Sequence, residues 1–334
     1  MINFNNKQTL ITGGTGSFGN EFINQIIKNK VKPKKIVIYS RDEFKQSEMQ
    51  KRYPIKKYPY LRFFLGDVRD KERLSRALEK IDFVIHAAAL KHVNLGEYNP
   101  MEVIKTNVIG AQNIVECCLD KNVNNIIALS TDKASSPINL YGASKLCSDK
   151  IFVSANNIKG NKKCKFSVVR YGNVLGSRGS VLSIFKKSLI NNSAFPITDK
   201  NMTRFNITLS EGVNFVAKCF KLNTGGEIFV PKLKTFKVID LAKAIKKNCR
   251  IKEIGIRPGE KLHEELISEA DAFNTIENNS MFIVIDTANK DHSRITQKHK
   301  SFKSLKKINS YRSNLGKQLS SGELKKILIK ENLI

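Results

Sequence analysis

Three glycines, Gly13, Gly16 and Gly19, follow one another at intervals of three residues directly behind a short apolar segment. Residues 7–12 predict a buried strand, and apolar residues at helical spacing after the glycines predict a helix. Glycines at this spacing let the backbone turn tightly and approach a pyrophosphate, which the positive N-terminus of a helix attracts. The segment therefore predicts a dinucleotide-binding strand–turn–helix unit, and the alternative is a glycine-rich turn that binds nothing.

The end of the second predicted strand, residues 35–39, bears on which dinucleotide is bound. NAD sites usually carry an acidic residue there, which binds the ribose 2′-hydroxyl. Here Ser40 and Arg41 come first and Lys45 follows closely, and such cations suit a 2′-phosphate. We therefore expect NADP rather than NAD. The alternative is a solvated Arg41 at the start of a helix, with Asp42 as its N-cap.

Strands and helices alternate as far as residue 170, and beyond it the pattern becomes less regular. The alternation predicts an α/β fold, a Rossmann-like doubly wound parallel sheet with a smaller C-terminal substrate-binding lobe. We place the cofactor-binding domain at residues 1–170 and the lobe, partly interwoven with it, at residues 171–334. The other strands of the first domain are predicted at 61–65, 82–86, 125–129 and 166–170. In the lobe, helices are predicted near 180–191, 209–222, 236–247 and 322–331, and strands near 195–198, 226–230, 250–255 and 281–285.

Tyr141 and Lys145 stand four residues apart in a segment, 140–157, that is predicted to be helical, so both lie on one helix face. A Lys ammonium beside a phenol favours the phenolate, so the Tyr can act as a base below its usual pKa of about 10. With a nicotinamide nearby, this pair indicates hydride transfer at an alcohol carbon. The spacing alone is weak evidence, and the preceding dinucleotide motif gives it weight.

The overall composition excludes several other classes of protein. No apolar run is long enough for a membrane span, and the N-terminus lacks the apolar core of a signal peptide. The six cysteines and five histidines show no metal-binding spacing, so we expect reduced thiols and no metal site. Together these features predict a cytoplasmic protein without a membrane span.

The formal net charge of +28 raises the possibility of a nucleic-acid-binding protein. The basic residues are, however, spread along the chain among many Asn and Ile, which a coding bias explains better than a docking face. Residues 290–334 are the most basic stretch, with twelve Lys or Arg against three acidic residues. A solvated surface explains this stretch most simply, and an anionic substrate or an acidic membrane surface remains an alternative.

The glycine motif, the Tyr141–Lys145 pair and Thr131 at the end of the fifth strand together resemble the extended short-chain dehydrogenase/reductase superfamily. Within it, the chain is similar to the inverting UDP-N-acetylglucosamine 4,6-dehydratases, which open the pseudaminic acid pathway for flagellin glycosylation. The resemblance covers about residues 1–267 and is thin beyond. Its motifs are residues 66–70, 86–93, 130–134, 139–150, 170–174, 176–181, 202–205 and 257–264.

The resemblance implies a role for each residue at the end of the fifth strand. Tyr141, tuned by Lys145, is the base at O4, and NADP accepts and returns the hydride. Thr131 donates a hydrogen bond to O4, and Asp132 is the acid at O6. Retaining relatives carry Glu where this chain has Lys133, so Lys133 is the C5 base and sets inversion. A Lys base must be neutral, which burial and Lys145 or Lys91 favour and Asp132 opposes.

The resemblance also implies the binding residues and the partners. The substrate is UDP-N-acetylglucosamine, nucleic acid is not a partner, and a homo-oligomer, a dimer or a hexamer, is expected. A UDP-hexosamine 4-epimerase on the same fold is the alternative enzyme. The expected cofactor-binding residues are Gly13, Thr15, Gly16, Ser17, Phe18, Gly19, Ser40, Arg41, Asp42, Glu43, Lys45, Asp67, Val68, Ala87, Ala89, Lys91, Tyr141, Lys145 and Val174. The expected substrate-binding residues are Lys91, Thr106, Asn107, Asn173, Arg178, Gly179, Ser180, Val181, Thr198, Arg204, Arg257 and Glu260.

Overall fold

A ten-stranded sheet forms the centre of the computed structural model, which describes residues 1–177, 179–285, 292–305 and 309–334. Smaller two-stranded sheets lie beside it. In chain order, the strands of the described residues are β1 Gln8–Thr12, β2 Lys35–Ser40, β3 Leu61–Leu65, β4 Phe83–His86, β5 Asn125–Thr131, β6 Lys165–Tyr171, β7 Val174–Leu175, β8 Phe195–Ile197, β9 Thr203–Phe205, β10 Ile207–Thr208, β11 Glu227–Pro231, β12 Thr235–Lys237, β13 Ile251–Glu253, β14 Glu265–Ile267, β15 Thr275–Glu277, β16 Met281–Ile285, β17 Lys303–Ser304 and β18 Tyr311–Arg312.

Helices cover both faces of the large sheet and build the smaller lobe. Short 3₁₀ turns lie at Ile2–Phe4 and Asp132–Ala134, and a π-helical turn lies at Lys105–Ile109. The α-helices of the described residues are α1 Ser17–Lys28, α2 Glu43–Arg52, α3 Lys71–Ala77, α4 Val93–Tyr98, α5 Pro100–Ile104, α6 Gly110–Asp120, α7 Leu140–Ile158, α8 Val181–Ile190, α9 Leu209–Leu222, α10 Val238–Ile245, α11 Glu269–Ala272, α12 His292–Lys298 and α13 Ser321–Lys330.

The strand order of the large sheet is β3-β2-β1-β4-β5-β6-β11-β16-β15-β17. Every pair from β3 to β11 is parallel, and the last three strands are antiparallel to their neighbours. The order reverses between β1 and β4, and an open α/β sheet binds its ligands in the crevice at this point. The predicted α/β fold with a Rossmann-like parallel sheet is confirmed.

Alternate residues of the parallel strands pack into two separate cores, one on each face of the sheet. Leu10 and Ile126 point into one core, and their chain neighbours Ile11 and Ile127 point into the other. Successive side chains of a strand face opposite ways, so apolar residues are needed at every position of a strand that helices cover on both faces. This requirement explains why the strands appear in the sequence as continuous apolar runs.

The second half of the chain contributes both to the large sheet and to a lobe with its own core. β11 pairs with β6 in parallel, and β16 then returns alongside it. A third core, which includes Phe185, Leu241 and Leu324, joins α8, α10 and α13 into the lobe. The boundary at residue 170 stays a prediction, and the sheet of the first half continues beyond it into the second.

Local patterns located the longer elements of the second half, and tertiary pairing decided the ends. The helix predicted near 236–247 begins only at Val238, because Thr235–Lys237 form β12 and pair with β9. No local pattern in the sequence predicts β9, β14 or β18. These strands have two or three residues each, and only the distant partner strand makes them regular.

Candidate active site

Nearly all of the predicted site residues meet at one cavity of about 1040 Å³. It lies at the C-terminal ends of β1, β2, β4 and β5, and residues of α8, β8, β9 and the 257–264 segment close it from the lobe. Arg178, a predicted substrate-binding residue, lies outside the described residues. The predicted residues in the lining are Gly13, Thr15, Gly16, Ser17, Phe18, Ser40, Arg41, Asp42, Lys45, Asp67, Val68, Ala87, Ala89, Lys91, Thr106, Thr131, Asp132, Lys133, Tyr141, Lys145, Asn173, Val174, Gly179, Ser180, Val181, Thr198, Arg204, Arg257 and Glu260.

Three predicted residues that the structure describes lie outside this lining. A Cβ on Gly19 would stand 1.9 Å from the carbonyl oxygen of Gly14, so this glycine serves the packing of α1 against the turn. Asn107 accepts a hydrogen bond from the Leu90 amide at 2.8 Å and donates one to its carbonyl at 2.9 Å, which fixes the loop after β4. Glu43 is exposed on the first turn of α2.

The glycine turn gives the cavity a surface that suits a pyrophosphate. Gly13 has a φ of +62°, and a Cβ on it would lie 2.9 Å from Cα of Ala88 across the switch point. Gly16 is the N-cap of α1, and no side chain caps that end of the helix. The backbone amides of the first helical turn therefore remain available to an anion at the positive end of the helix dipole. The residues present fit a dinucleotide at this place.

The sequence left open whether Arg41 faces the cofactor site or Asp42 caps the next helix, and the end of β2 shows both. Asp42 is the N-cap of α2, and its Oδ1 accepts a hydrogen bond from the Lys45 amide at 2.9 Å. Arg41 nevertheless lines the cavity, where its Nη1 lies 3.5 Å from Oδ2 of Asp67 and half of its side chain is exposed. Asp67 is further held by Arg69 at 2.8 Å. Arg41 is therefore a cation at the cavity edge with a loose ion pair.

The residues predicted to act as acid and base come from the turn between β5 and α7. Thr131 ends β5, the 3₁₀ turn that follows contains Asp132 and Lys133, and Tyr141 lies in the first turn of α7. Asn139 caps this helix by accepting a hydrogen bond from the Gly142 amide at 2.7 Å. The cap fixes where α7 begins, so it determines where Tyr141 faces the strand ends.

Glu264, which the sequence reasoning did not single out, completes the charged cluster. Lys133 Nζ lies 3.1 Å from Oδ1 of Asp132 and 3.0 Å from Oε1 of Glu264. Glu264 comes from the segment before β14 and is almost fully buried. It is the last residue of the 257–264 motif, and this position was the signal available in the sequence.

These contacts determine the charge of the cluster. Burial alone lowers the pKa of Lys133, but the carboxylates of Asp132 and Glu264 outweigh it and hold the pKa above its ordinary value. Burial, together with the charge of Glu264, raises the pKa of Asp132. Lys133 is therefore an ammonium ion in this arrangement, and the opposing effects that the sequence left unbalanced favour the charged form.

Tyr141 and Lys145 occupy the expected helix face, but the pKa of the phenol is not lowered. Burial raises the pKa of Tyr141 to about 12, and the opposing effects of the Lys133 ammonium and of a hydrogen bond with Thr131 are smaller. Burial also lowers the pKa of Lys145, and Asp149 opposes this. The phenol is thus protonated here, and the cations beside it reduce the cost of removing its proton.

A buried ion-pair network stands behind this helix face. Arg170 on β6 donates hydrogen bonds to Asp149 at 3.2 Å and to Asp271 at 3.0 Å, and Ser130 also donates to Asp149 at 2.9 Å. Asp149 lies one helical turn beyond Lys145, so it keeps a negative charge close to that ammonium. This spacing was visible in the sequence, whereas the Arg170 contact was not.

The lobe supplies cations and polar groups to the opposite wall. Arg204 is nearly buried, donates to the carbonyls of Thr203 and Leu262 at 2.7 and 3.1 Å, and has Nη2 3.4 Å from Oε1 of Glu260. Arg257 lies in the same lining. A wall with two guanidinium groups suits the diphosphate of a nucleotide sugar.

Metal-binding clusters and membrane-spanning helices are both absent from the described residues. No group of three or more His, Cys, Asp or Glu side chains in that part of the chain stands close enough together to hold a metal ion. Within the same residues, no helix combines the length and the hydropathy that a membrane crossing requires.

Comparison with known proteins shows the family of the chain. Residues 9–286 match the family described as "Polysaccharide biosynthesis protein". The chain belongs to this family. It is 58% identical to the inverting UDP-N-acetylglucosamine 4,6-dehydratase of Campylobacter jejuni over 276 residues, which are 82% of this chain and 81% of the relative. The resemblance inferred from the motifs is therefore confirmed.

Other relatives and solved structures match the chain at lower identity. A UDP-glucose 4-epimerase of Rickettsia bellii is 37% identical over 334 residues, which are 98% of this chain and 96% of the relative. The crystal structure of Pen from Bacillus thuringiensis superposes with a TM-score of 0.88 at 34% identity, over 99% of this chain and all of that one. The dTDP-glucose 4,6-dehydratase DesIV from Streptomyces venezuelae, at 21% identity and a TM-score of 0.67, shares the fold over 76% of this chain and 86% of its own.

Proposed function

We propose that this member of the polysaccharide biosynthesis protein family is an NADP-dependent, C5-inverting UDP-N-acetylglucosamine 4,6-dehydratase. The observation that carries the proposal is the meeting of Tyr141, Asp132 and Lys133 at one cavity beside a pyrophosphate-binding turn. Removal of water from a hexose needs a base at O4, an acid at O6 and a base at C5. These three groups supply one residue for each position.

Tyr141 begins the reaction as the base at O4. Residues of the α1 turn and of the end of β2 would hold NADP, which would supply the hydride acceptor for C4 and the hydride donor for C6. The phenol first loses its proton to solvent, and its oxygen then takes the O4 proton. Lys145, one turn along α7, is the proposed cation that stabilises the phenolate. Thr131 forms a hydrogen bond with the phenol, and we assign its hydroxyl as the hydrogen-bond donor to O4 of the sugar.

Asp132 and Lys133 then carry out the elimination. The ketone at C4 acidifies the C5 hydrogen, and Lys133 takes that proton while the C6–O6 bond breaks. Burial and the charge of Glu264 raise the pKa of Asp132, which favours its protonation. Its Oδ2 has no hydrogen-bond partner among the described residues, and we assign this oxygen to deliver the proton to O6. Two protons pass to Tyr141 and Lys133, and two leave from Asp132 and from the group that reprotonates C5, so the cycle balances.

Arg204 and Arg257 are the proposed partners of the UDP diphosphate, with Arg178 as a further expectation from its motif. Lys91 and Thr106 line the same cavity on the sugar side, and burial lowers the pKa of Lys91. The role in pseudaminic acid synthesis for flagellin glycosylation belongs to this proposal as well, because the motifs resemble that branch. The cytoplasmic location and the homo-oligomer stay predictions.

The direct test is the mass of the product. Purified protein, mixed with UDP-N-acetylglucosamine, is expected to give a product lighter by one water, with L-arabino configuration. A sugar nucleotide of unchanged mass and altered configuration would instead identify an epimerase, the function named for the Rickettsia relatives. An epimerase uses a base at O4 alone, and the buried Asp132–Lys133 pair therefore favours the dehydratase.

The cofactor preference is tested by Arg41→Asp. The variant removes a cation from the end of β2 and places a second carboxylate beside Asp67, which the Arg41 side chain now faces at 3.5 Å. We expect the affinity for NADP to fall roughly 10- to 100-fold, the range for loss of a charged hydrogen bond, with little change for NAD. Calorimetric titration with both dinucleotides measures the ratio.

Arg52→Asp is the matched control for this charge change, because Arg52 is an exposed residue of α2 outside the cavity lining. It should leave the ratio of the two affinities unchanged. An equal loss of both dinucleotides in Arg41→Asp would mean that Arg41 does not read the 2′-phosphate.

A further inference from the structure

Hydrogen bonds to Ser313 fix the backbone of Glu264 at both its amide and its carbonyl group. Its backbone amide donates to Oγ of Ser313 at 2.9 Å, and its carbonyl accepts from the Ser313 amide at 2.8 Å. Ser313 is anchored in turn by Thr203, with 2.7 Å between the two hydroxyl oxygens. These contacts fix the carboxylate where it reaches Lys133.

The two oxygens of the Glu264 carboxylate differ in their hydrogen bonds. Oε1 lies 3.0 Å from Nζ of Lys133, while the buried Oε2 has no hydrogen-bond partner among the described residues. A buried carboxylate oxygen without a partner is costly, and sites that keep one often use it. Glu264 also lines the cavity in which the proposed reaction takes place.

The charged groups around Lys133 and Glu264 determine which of these two residues holds the proton. Asp132 contacts Lys133 from the other side, Arg204 Nε lies 3.7 Å from Oε1 of Glu264, and Lys261 adds a further positive charge nearby. Lys133 therefore holds its proton strongly in the resting site, although a base at C5 must be an amine. The proton needs an acceptor within hydrogen-bond distance. The proposed reaction assigns Asp132 to give a proton to O6, which leaves Glu264 as the acceptor.

We propose that Glu264 is the positioning and proton-holding partner of Lys133, which takes the proton from Nζ and so releases the amine that acts at C5. The inference rests on the proposed function. The N–H bond of Lys133 breaks, an O–H bond forms on Glu264, and the electron pair left on nitrogen accepts the C5 proton. The transfer carries one proton and leaves the net charge of the pair unchanged. When it takes the C5 proton, Lys133 becomes an ammonium ion again. Glu264 then releases its proton to solvent, which restores the starting ion pair.

Binding of the sugar nucleotide drives this transfer. A buried ion pair costs desolvation of two charges, and the cost rises when a ligand displaces water from the cavity. Moving the proton over 3.0 Å turns both ions into neutral groups and removes that cost. The positive charge of Arg204 favours the carboxylate form of Glu264 and so opposes the proton transfer. The negative charge of the substrate diphosphate offsets this effect.

The test isolates the C5 step by supplying the 4-keto-6-deoxy product in deuterated water. Incorporation of deuterium at C5, read by mass spectrometry, needs the base at C5 but neither C4 oxidation nor water loss. In the wild type, an internal transfer makes the exchange rate independent of pH between the ordinary pKa values of Glu and Lys, about 4.3 and about 10.4. In Glu264→Gln, Lys133 must lose its proton to solvent, so the rate at neutral pH falls roughly 100-fold or more and then rises about tenfold per pH unit.

Glu265→Gln is the matched control, because this neighbouring carboxylate is also buried but binds Ser135, Ser136 and Arg312 outside the cavity. It should lower the melting temperature and leave the pH profile flat. Glu264→Asp keeps a proton acceptor and should keep a flat profile at a reduced rate. This variant decides the matter if Glu264→Gln fails to fold, since a profile that rises with pH in Glu264→Asp would overturn the proposal.

A flat profile at the wild-type rate in Glu264→Gln overturns the inference and leaves Asp132 as the acceptor. A pH-dependent profile in the Glu265→Gln control overturns it as well, because the effect would then be structural. Failure of the wild type to dehydrate UDP-N-acetylglucosamine is a different result, and it removes the proposed function itself.

Discussion

Tyr141→Phe is expected to reduce the dehydration of UDP-N-acetylglucosamine by roughly 10²–10⁴-fold, the contribution of a positioned general base. Without the phenol oxygen, nothing takes the O4 proton, so C4 is not oxidised and no later step can begin. Binding of the sugar nucleotide should survive, because the phenol contributes little to recognition of UDP. Product mass and calorimetric binding of UDP-N-acetylglucosamine measure the two effects separately.

The pH dependence of the same step follows from the raised pKa of Tyr141. Because this pKa is about 12, the phenol is protonated at neutral pH and the phenolate fraction grows with pH. The rate of C4 oxidation should therefore rise between neutral and alkaline pH, about tenfold per pH unit below the pKa. A rate of C4 oxidation that falls or stays constant with pH in the wild type would show that bound ligands give Tyr141 a different pKa in the complex.

Tyr171→Phe is the matched control for this substitution, since Tyr171 is a buried tyrosine in the lining of the same cavity. We expect its dehydratase activity to stay within a few-fold of wild type. Retained water loss in Tyr141→Phe would remove Tyr141 from the role of base.

Lys133→Met is expected to stop water loss, again by roughly 10²–10⁴-fold, while leaving NADP bound. The variant keeps an unbranched side chain, one atom shorter, but removes the nitrogen that takes the C5 proton. It also removes the counter-charge of two buried carboxylates, Asp132 and Glu264, so a lower melting temperature should accompany the loss. Product mass, the NADP content of the purified variant and thermal unfolding report the three effects.

The stereochemical outcome is the second readout for Lys133. In deuterated water, the wild-type product should carry deuterium at C5, because the proton is exchanged as C5 inverts. Lys261→Met is the control, as Lys261 belongs to the same polar cluster but donates to the carbonyl of Ser135 outside the cavity lining. Retained configuration at C5, or water loss at a near-normal rate in Lys133→Met, would contradict the assignment.

Local sequence patterns predicted the parts of the fold that local physics determines. The strand of residues 7–12 and the glycine turn after it appear as β1 and the start of α1, because burial on both faces and a φ of +62° at Gly13 each restrict the residue type directly. The helix predicted at 140–157 appears as Leu140–Ile158. Its periodicity placed Tyr141 and Lys145 on one face before any tertiary contact was known.

Long-range pairing determined what these patterns could not. The strands β9, β14 and β18 are too short to show a periodicity, and each is regular only because a distant strand pairs with it. For the same reason the sequence did not identify Arg170 as the partner of Asp149, although the two residues belong to the motifs of the resemblance, 170–174 and 139–150.

The sequence by itself thus determined the glycine turn after β1, the shared helix face of Tyr141 and Lys145 and the place of residues 131–133 at the end of β5, because each depends on neighbours within a few residues. Only the tertiary structure decided the charge of Lys133. Its partner Glu264 lies 131 positions away along the chain, and the pKa of Lys133 depends on the balance between burial and two carboxylates. That balance is a property of distances and of solvent exclusion, which exist only once β5 and the segment before β14 have packed together.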